Sequence, residues 1–290
     1  MSPEVKEFFD PSTWTLTYVV YDTETKDAVI LDPVWNYEPA TSTLSTESTD
    51  QVLNWAESKG LRVHYILETH AHADHISGAQ NLKASLPGAL VGIGEKITEV
   101  QKTFKNVFSM PFHFATDGSQ FDVLLREGTV LNAGSLSIQT ISTPGHTPAC
   151  STYVIGDAVF TGDALFMPDY GTGRCDFPSG SAEDLYHSVH EKIYSLPDHF
   201  RVYVGHDYQP QGRPLLFQST IGEEKKKNIH LSFGTSESEF VSMRAQRDRN
   251  LSAPRLLFPS VQVNIDAGHL PALDETGKRF LKIPLTAEKP

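Results

Sequence analysis

The chain has 290 residues, of which 39% are hydrophobic and 21% are charged, and no long low-complexity tract interrupts it. This composition is typical of a folded globular protein and argues against a disordered one. The formal net charge is −12, from 24 Lys and Arg against 36 Asp and Glu, and it argues against nonspecific binding to nucleic acids or anionic membranes because either requires a basic surface. An anionic small substrate would need a local basic pocket.

The sequence also bears on compartment and membrane association. Residues 1–14 place acidic side chains where a secretory signal peptide has a basic region. No run of about eighteen apolar residues occurs, so we expect no membrane-spanning helix. Cys150 and Cys175 are too few for a disulfide framework, which favours a reducing, cytoplasmic location.

The first predicted elements are a pair of strands and a helix. Residues 15–22 and 27–32 are rich in β-branched residues and are separated by a polar turn, which predicts a hairpin. Ser48 is followed three residues later by Gln51, as in a capping box, and apolar residues then recur at helical spacing until Gly60. This segment therefore predicts a helix that begins near Ser48.

The next segment predicts a strand, a histidine-rich loop and a helix. Residues 63–67 form the strand, and residues 75–86 are compatible with a helix that Pro87 ends. Further on, four short β-rich runs predict strands at 136–141, 152–155, 158–161 and 201–205. Two β-rich halves with flanking helices indicate stacked sheets that are covered outside by helices.

A third predicted helix lies between the last two of these strands. Ser181 precedes Asp184 by three residues, and Leu185, Val189 and Ile193 then recur on one face until Pro197.

The composition changes from about Ser219, where residues 222–228 form a charged connection or helix and residues 236–249 a further helix. Proline-rich turns punctuate this tail, but no flexible linker precedes it. We therefore predict a catalytic core at 1–218 and a C-terminal extension at 219–290 that packs on it, within a single structural domain.

The stretch THAHADH, residues 69–75, holds three imidazoles and a carboxylate. Side chains alternate in an extended strand, so His70 and His72 point the same way and can share one ion. Asp74 and His75 lie beyond the turn and face a neighbouring position.

Three more candidate ligands follow or separate short strands: His146, Asp163 and His206. Sheet folds gather such loops at one edge. Seven nitrogen and oxygen ligands without a thiolate favour zinc, iron or manganese over a structural zinc site. The other histidines are interpreted as solvated or structural: His64, His113, His187, His190, His199, His230 and His269.

The HxHxDH motif, combined with His146, Asp163 and His206, resembles the signature of the metallo-β-lactamase superfamily. The resemblance implies an α+β fold, a four-layer αββα sandwich with its metal site at one edge of the paired sheets. The superfamily pattern implies one ion at His70, His72 and His146. It implies a second ion at Asp74, His75 and His206, with Asp163 bridging the two.

Three segments are more specific: FTGDALF at 160–166, GTGRCDF at 171–177 and VGHDY at 204–208. They resemble the persulfide dioxygenase (sulfur dioxygenase) family, and residues 259–269 are similar to bacterial members. Glyoxalase II resembles GxGRFFEG and GHEY at the corresponding places. Thr172 and Cys175 depart from the dioxygenase pattern, in which Cys and Thr respectively are common.

This narrower resemblance implies one iron(II) per chain, held by His70, His146 and Asp163. Such a 2-His-1-carboxylate facial triad leaves open positions for O₂ chemistry. The remaining candidates, His72, Asp74, His75 and His206, would then surround the ligands and orient them.

The resemblance predicts an enzyme that oxidises glutathione persulfide with O₂ and water to sulfite and glutathione. Arg174 is a candidate to bind a substrate carboxylate, or else a structural partner of Asp176, and Tyr208 could place its hydroxyl over the iron or simply pack. The alternative is a dinuclear zinc hydrolase of the glyoxalase II type that acts on glutathione thioesters. A non-catalytic binding module should lack ligands, and this chain lacks none. The sequence leaves the oligomeric state open, a homodimer included.

Overall fold

The computed structural model describes residues 2–285, so the last five residues of the predicted extension, 286–290, lie outside the described residues. The described strands are β1 (Glu4–Asp10), β2 (Thr15–Tyr21), β3 (Asp27–Leu31), β4 (Val34–Glu38), β5 (Thr43–Ser45), β6 (Arg62–Leu67), β7 (Ile76–Ser77), β8 (Leu90–Gly94), β9 (Val123–Leu125), β10 (Val130–Ala133), β11 (Leu136–Ser142), β12 (Ser151–Ile155), β13 (Ala158–Phe160), β14 (Arg201–Tyr203) and β15 (Gln218–Thr220). The described α-helices are α1 (Glu47–Ser58), α2 (Ala79–Ser85), α3 (Ile97–Val107), α4 (Ala182–His187), α5 (Ile221–Lys227), α6 (Glu237–Asp248) and α7 (Leu257–Asn264).

The strands form two six-stranded sheets and one small sheet. The first large sheet has the order β1-β2-β3-β6-β8-β9, the second runs from β10 to β15 in chain order, and β5-β4-β7 form the small sheet. The hairpin predicted from residues 15–32 is confirmed, because β2 pairs antiparallel with β3. β6 lies parallel to both β3 and β8, as expected where helices make the crossovers.

Apolar side chains from the facing sides of the two large sheets form one core. Leu16 and Leu67 of the first sheet belong to the same buried cluster as Tyr153 and Phe160 of the second. On the other face of the first sheet, a second cluster contains residues of α1, α2, α3 and α7. The outer face of the second sheet is covered by Leu196 and its neighbours. The layered α+β architecture predicted from the sequence is therefore confirmed.

Two local predictions near the histidine-rich loop need correction. The first helix begins at Glu47 after Thr46, and Ser48 is not its cap, because Asn36 of β4 bonds both the backbone nitrogen and the hydroxyl of Ser48. The helix predicted at 75–86 is confined to α2, because residues 76–77 extend as β7 and pair with β4.

The predicted cap at Ser181 is confirmed, since its hydroxyl accepts a hydrogen bond from the backbone N–H of Asp184 at 3.0 Å. The helix does not stay α-helical to Pro197. After α4 it widens into a π-helical turn at Ser188–Lys192 and ends as a 3₁₀ turn at Ile193–Ser195.

The C-terminal part of the chain continues both cores. β15 pairs with β14 and includes residue 218. The division of the chain into a core and an extension at this residue remains a prediction. Phe240 of α6 belongs to the buried cluster that also contains Leu16 and Phe160, and Val261 of α7 lies in the cluster outside the first sheet. Within residues 2–285, no helix combines the length and apolarity needed to cross a bilayer.

Candidate metal centre

Four loops converge at one edge of the paired sheets. The loop 68–75 follows β6, His146 lies between β11 and β12, Asp163 follows β13, and His206 follows β14. Backbone hydrogen bonds join these loops, including one of 2.9 Å from the N–H of Ser151 to the carbonyl of Thr69. The structure therefore brings together residues that are up to 136 positions apart, as the sequence predicts for ligands at strand ends.

His70, His146 and Asp163 form the first group of candidate ligands. One ligand atom from each lies within 4.8 Å of the others, and all three residues are buried. The Nδ1 of His146 is 2.6 Å from the carbonyl oxygen of Arg174, which leaves its Nε2 for a metal ion. That Nε2 lies 3.5 Å from a carboxylate oxygen of Asp163.

Unpartnered polar atoms show that these residues fit a metal ion. His70 Nε2 and Asp163 Oδ1 are buried and have no hydrogen-bond partner among the described residues, although a buried polar atom normally requires one. Burial, together with the neighbouring His72 and His146, also holds the pKa of His70 well below its usual value. Neutral imidazole is the form of histidine that ligates metals.

His72, Asp74 and His75 form a second group with ligand atoms within 4.8 Å of one another. His72 Nδ1 and His75 Nε2 are likewise buried and without partners among the described residues. His206 connects the two groups, because its Nε2 lies 3.4 Å from Asp163 and 3.6 Å from Asp74. All seven residues predicted as ligands or their neighbours therefore occupy one site.

Two carboxylates that were not predicted from the sequence lie next to the His72 ring. Its Nε2 lies 3.0 Å from Asp32 and 3.3 Å from Glu68. Burial alone would lower the pKa of His72, but the attraction and hydrogen bonds of these carboxylates outweigh it and raise that pKa well above its usual value. Ser77 in turn donates a hydrogen bond to Glu68.

Asp74 is ionised in this setting. Burial would raise the pKa of its carboxyl, but the nearby His206 and His75 imidazoles hold it well below its usual value. The second group therefore offers a negative charge beside the first.

A cavity of about 810 Å³ opens onto Asp74, His146 and Asp163. Aromatic side chains form much of its wall: Trp14, Phe166, Tyr170, Phe177 and Tyr208. Its volume and apolar lining are typical of small-molecule sites.

Four arginines line the same cavity and differ in their partners. Arg174 forms an ion pair with Asp176, with Nε 2.5 Å from the carboxylate, and donates to the carbonyl of Ser252. Arg244 is buried and paired with Asp248. Arg247 and Arg255 are exposed and have no hydrogen-bond or ion-pair partner among residues 2–285. This acidic chain therefore carries two uncompensated positive charges at its cavity.

The family model of the metallo-beta-lactamase superfamily matches residues 15–206, which include all the candidate ligands. The chain belongs to this superfamily. A probable metallo-hydrolase of Burkholderia pseudomallei is 46% identical over 98% of this chain and 99% of its own length. Glyoxylase B2 of Dictyostelium discoideum is also 46% identical, over 97% of each chain.

Persulfide dioxygenases are similar at lower identity. The mitochondrial persulfide dioxygenase ETHE1 of Bos taurus is 36% identical over 91% of this chain and 88% of its own length. The crystal structure of ETHE1 from Myxococcus xanthus matches with a TM-score of 0.73 at 32% identity, covering 92% of this chain and 100% of that one. Membership of the metallo-β-lactamase superfamily does not by itself fix the reaction.

Tyr208 lines the cavity, and its predicted role in substrate binding stays a prediction. Its ring stacks on Tyr170 at 4.8 Å and on His206 at 5.5 Å between centroids. Burial and the negative charges of Asp163 and Asp74 raise the pKa of its phenol well above the usual value. Tyr208 is therefore a neutral hydrogen-bond donor beside the metal centre.

Residues of the predicted C-terminal extension bind the loop 171–177 of this superfamily member. Asn228 donates to the carbonyl of Gly171 at 3.0 Å, and Asp248 accepts from the N–H of Cys175 at 2.9 Å. His230, interpreted from the sequence as unremarkable, accepts from the N–H of Thr172 at 3.1 Å. Gly171 has φ +97°, and a Cβ there would lie 2.1 Å from the His230 ring, so only glycine fits.

Neither cysteine contributes to the metal centre. Cys150 and Cys175 are buried free thiols, and burial raises the pKa of Cys150 to about 12. Both are small buried residues of the core.

Proposed function

We propose that the protein is a persulfide dioxygenase with one iron(II) per chain. Glutathione persulfide, O₂ and water would give glutathione, sulfite and two protons. The observation that carries the proposal is the convergence of His70, His146 and Asp163 at a cavity bordered by unpaired arginines. Two histidines and one carboxylate are the ligand set of non-haem iron oxygenases, and the similarity to persulfide dioxygenases over 91% of the chain supports it.

The chain's own residues hold the ligands in a defined orientation. The carbonyl of Arg174 directs the His146 ring so that Nε2 faces Asp163. The hydroxyl of Thr69 lies 3.0 Å from His70 Nδ1 and donates to Asp32, which fixes the plane of the His70 ring. A bound iron(II) would supply the electrons that activate O₂ and adjacent positions for both substrates.

The residues of the second group would orient and polarise this centre in the proposed enzyme. The Nε2 of His206 lies between the carboxylates of Asp74 and Asp163, at 3.6 Å and 3.4 Å. The His72 ring lies between those of His70 and His75, with centroids 4.0 Å from His70 and 4.2 Å from His75. Such residues around a metal centre typically tune its affinity and reactivity.

The cavity favours an anionic, mid-sized substrate. Glutathione carries two carboxylates, and guanidinium groups bind carboxylates through paired hydrogen bonds. Arg247 and Arg255 can do so without breaking an existing ion pair, whereas Arg174 would have to share its guanidinium with Asp176. Arg174 and Tyr208 remain predicted substrate-binding residues, and Arg247 and Arg255 join them in the proposal.

A dinuclear hydrolase is the second candidate. The observation that favours it is the second ligand group, whose unpartnered His72 and His75 nitrogens could hold another ion. The relatives named probable metallo-hydrolase and glyoxylase B2 support it at 46% identity. Two zinc ions there would activate water for attack on a glutathione thioester.

The two candidates are separated by assaying one preparation with two substrates. Glutathione persulfide should cause O₂ uptake, and S-lactoylglutathione should be hydrolysed no faster than by a His70→Ala control. The proposal fails if the wild-type protein hydrolyses the thioester and consumes no O₂ with the persulfide.

A further inference from the structure

Asn264 is a buried residue at the end of α7 that contacts the metal-binding loop, although it follows that loop by almost 190 positions. Its side chain is 4% exposed. Its Nδ2 donates to the carbonyl oxygens of His72 and His75, each at 2.8 Å, and its Oδ1 accepts from the N–H of Ser77 at 2.8 Å. Both amide hydrogens and the amide oxygen are thus used on one six-residue stretch.

The part of this stretch that precedes β7 needs such a partner because it has no regular structure of its own. Residues 68–75 lie between β6 and β7 and form neither helix nor strand. Backbone groups that are buried outside regular structure must find partners elsewhere. Asn264 supplies them for His72 and His75, and it thereby fixes the turn that carries Asp74.

The contact continues to the carboxylate behind His72. The backbone N–H of Ser77 donates a hydrogen bond to Asn264, and its hydroxyl donates one to Glu68. Glu68 in turn lies 3.3 Å from His72 Nε2. The Asn264 side-chain amide therefore contacts the loop in two ways. It binds the loop backbone directly, and it acts indirectly through the series of contacts from Ser77 to Glu68 to His72.

Helix α7 itself is held firmly in place. Gln101 of α3 donates to the carbonyl of Ile265 at 2.9 Å, and Gln80 of α2 donates to the carbonyl of Ala267 at 3.0 Å. Asn264 is thus anchored to the helical layer while it reaches the loop.

We propose that Asn264 is a positioning residue of the metal centre: it holds the backbone of residues 72–77, and with it the side chains of His72, Asp74 and His75, in place around the ion. The inference rests on the ligand loop alone and holds for either reaction considered above. A residue that only stabilised the fold would change the melting temperature and leave metal affinity in the folded protein unchanged.

The test compares cobalt(II) binding by wild type, Asn264→Asp, Asn264→Ala and Gln262→Ala. Asn264→Asp keeps the size and the Ser77 contact but places an oxygen against two carbonyl oxygens. Gln262 is a matched control, because it is buried on the same helix and makes three hydrogen bonds, to Phe258 and to both backbone groups of Lys282, none with the loop.

Both Asn264 variants should bind cobalt(II) about tenfold or more weakly, as expected when the groups that surround and orient a metal centre are displaced, with an altered visible absorption band. Gln262→Ala should lower the melting temperature and leave affinity and spectrum unchanged. Wild-type affinity and spectrum in a folded Asn264 variant would overturn the inference. Failure of both Asn264 variants to fold would overturn it too, because the role would then be one of stability.

Discussion

Arg247 and Arg255 border the cavity and have no partner in the described part of the chain. The ring of Tyr170 lies 5.7 Å beneath the Arg247 guanidinium, so this side chain is held over the cavity without being neutralised. An acidic protein that binds an anionic substrate needs this kind of local positive charge.

Replacement of Arg247 and Arg255 by Ala should raise the KM for glutathione persulfide about tenfold each, since a charge-assisted hydrogen bond contributes about 1.5 to 3 kcal/mol. The kcat should stay near the wild-type value because neither residue touches the candidate ligands. Steady-state O₂ uptake measures both constants. Arg249→Ala is the control, because Arg249 is exposed just beyond the same helix and does not line the cavity. A double Arg247→Ala, Arg255→Ala variant with unchanged KM would rule out this role.

At the residue scale, ligand residues that form a local motif could be predicted from the sequence. Side chains whose role depends on residues elsewhere in the chain could not. The four candidate ligands in THAHADH lie together because they fall within six consecutive residues of the chain, 70–75. Asp32 and Glu68 were not predicted: the parallel pairing of β3 with β6 brings Asp32 to His72, and the turn of the loop brings Glu68 to it. An acidic residue at the end of each of these strands was the available signal.

At the element scale, α5 supports the loop 171–177 through a buried carboxylate. Glu224 accepts hydrogen bonds from Ser219 and Asn228, and Asn228 also holds the carbonyl of Gly171. Burial raises the pKa of Glu224 from 4.5 to about 7 against these hydrogen bonds. This carboxyl therefore keeps its proton in the folded protein over a range in which the unfolded chain loses it.

Stability should respond to pH through Glu224. Because the folded state binds the extra proton, the free energy of unfolding should fall as pH rises from about 4.5 to about 7, by about 3 kcal/mol for this group. Glu224→Gln should lack this part of the pH dependence, whereas Glu223→Gln, beside it and paired with Lys227 at the surface, should keep it. Urea unfolding at several pH values gives the comparison. Parallel pH profiles for wild type and Glu224→Gln would contradict the account.

Helices that begin with a local capping pattern were predicted correctly from the sequence. Elements whose limits depend on contacts with residues elsewhere in the chain were not. Ser181 and Ser236 begin helices through hydrogen bonds to residues three positions later, which a sequence pattern can reveal. Ser48 shows the same pattern, but Asn36 takes its hydroxyl. Likewise β7 exists only because β4 lies beside it.

At the scale of the whole molecule, the C-terminal extension completes the site and both cores. It holds the loop 171–177 through α5 and α6 and the histidine-rich loop through α7. The layered fold could be predicted because two β-rich halves alternate with helices. Where these last helices pack in the molecule could not be predicted, since a periodic pattern of apolar residues does not specify which residues a helix face contacts.

Thermal unfolding should therefore be a single transition. Since Phe240 and Val261 belong to clusters that also contain strand residues, the predicted core and extension should melt together. Scanning calorimetry of the full chain should give equal calorimetric and van't Hoff enthalpies. Two separate transitions would show that residues 219–290 fold as an independent unit.

The proposed mononuclear iron centre is tested by determining the metal content of anaerobically purified protein together with the yield of sulfite per O₂ consumed from glutathione persulfide. We expect about one iron per chain, as the facial triad requires, and one sulfite for each O₂. Two zinc ions per chain without persulfide-dependent O₂ consumption would contradict it.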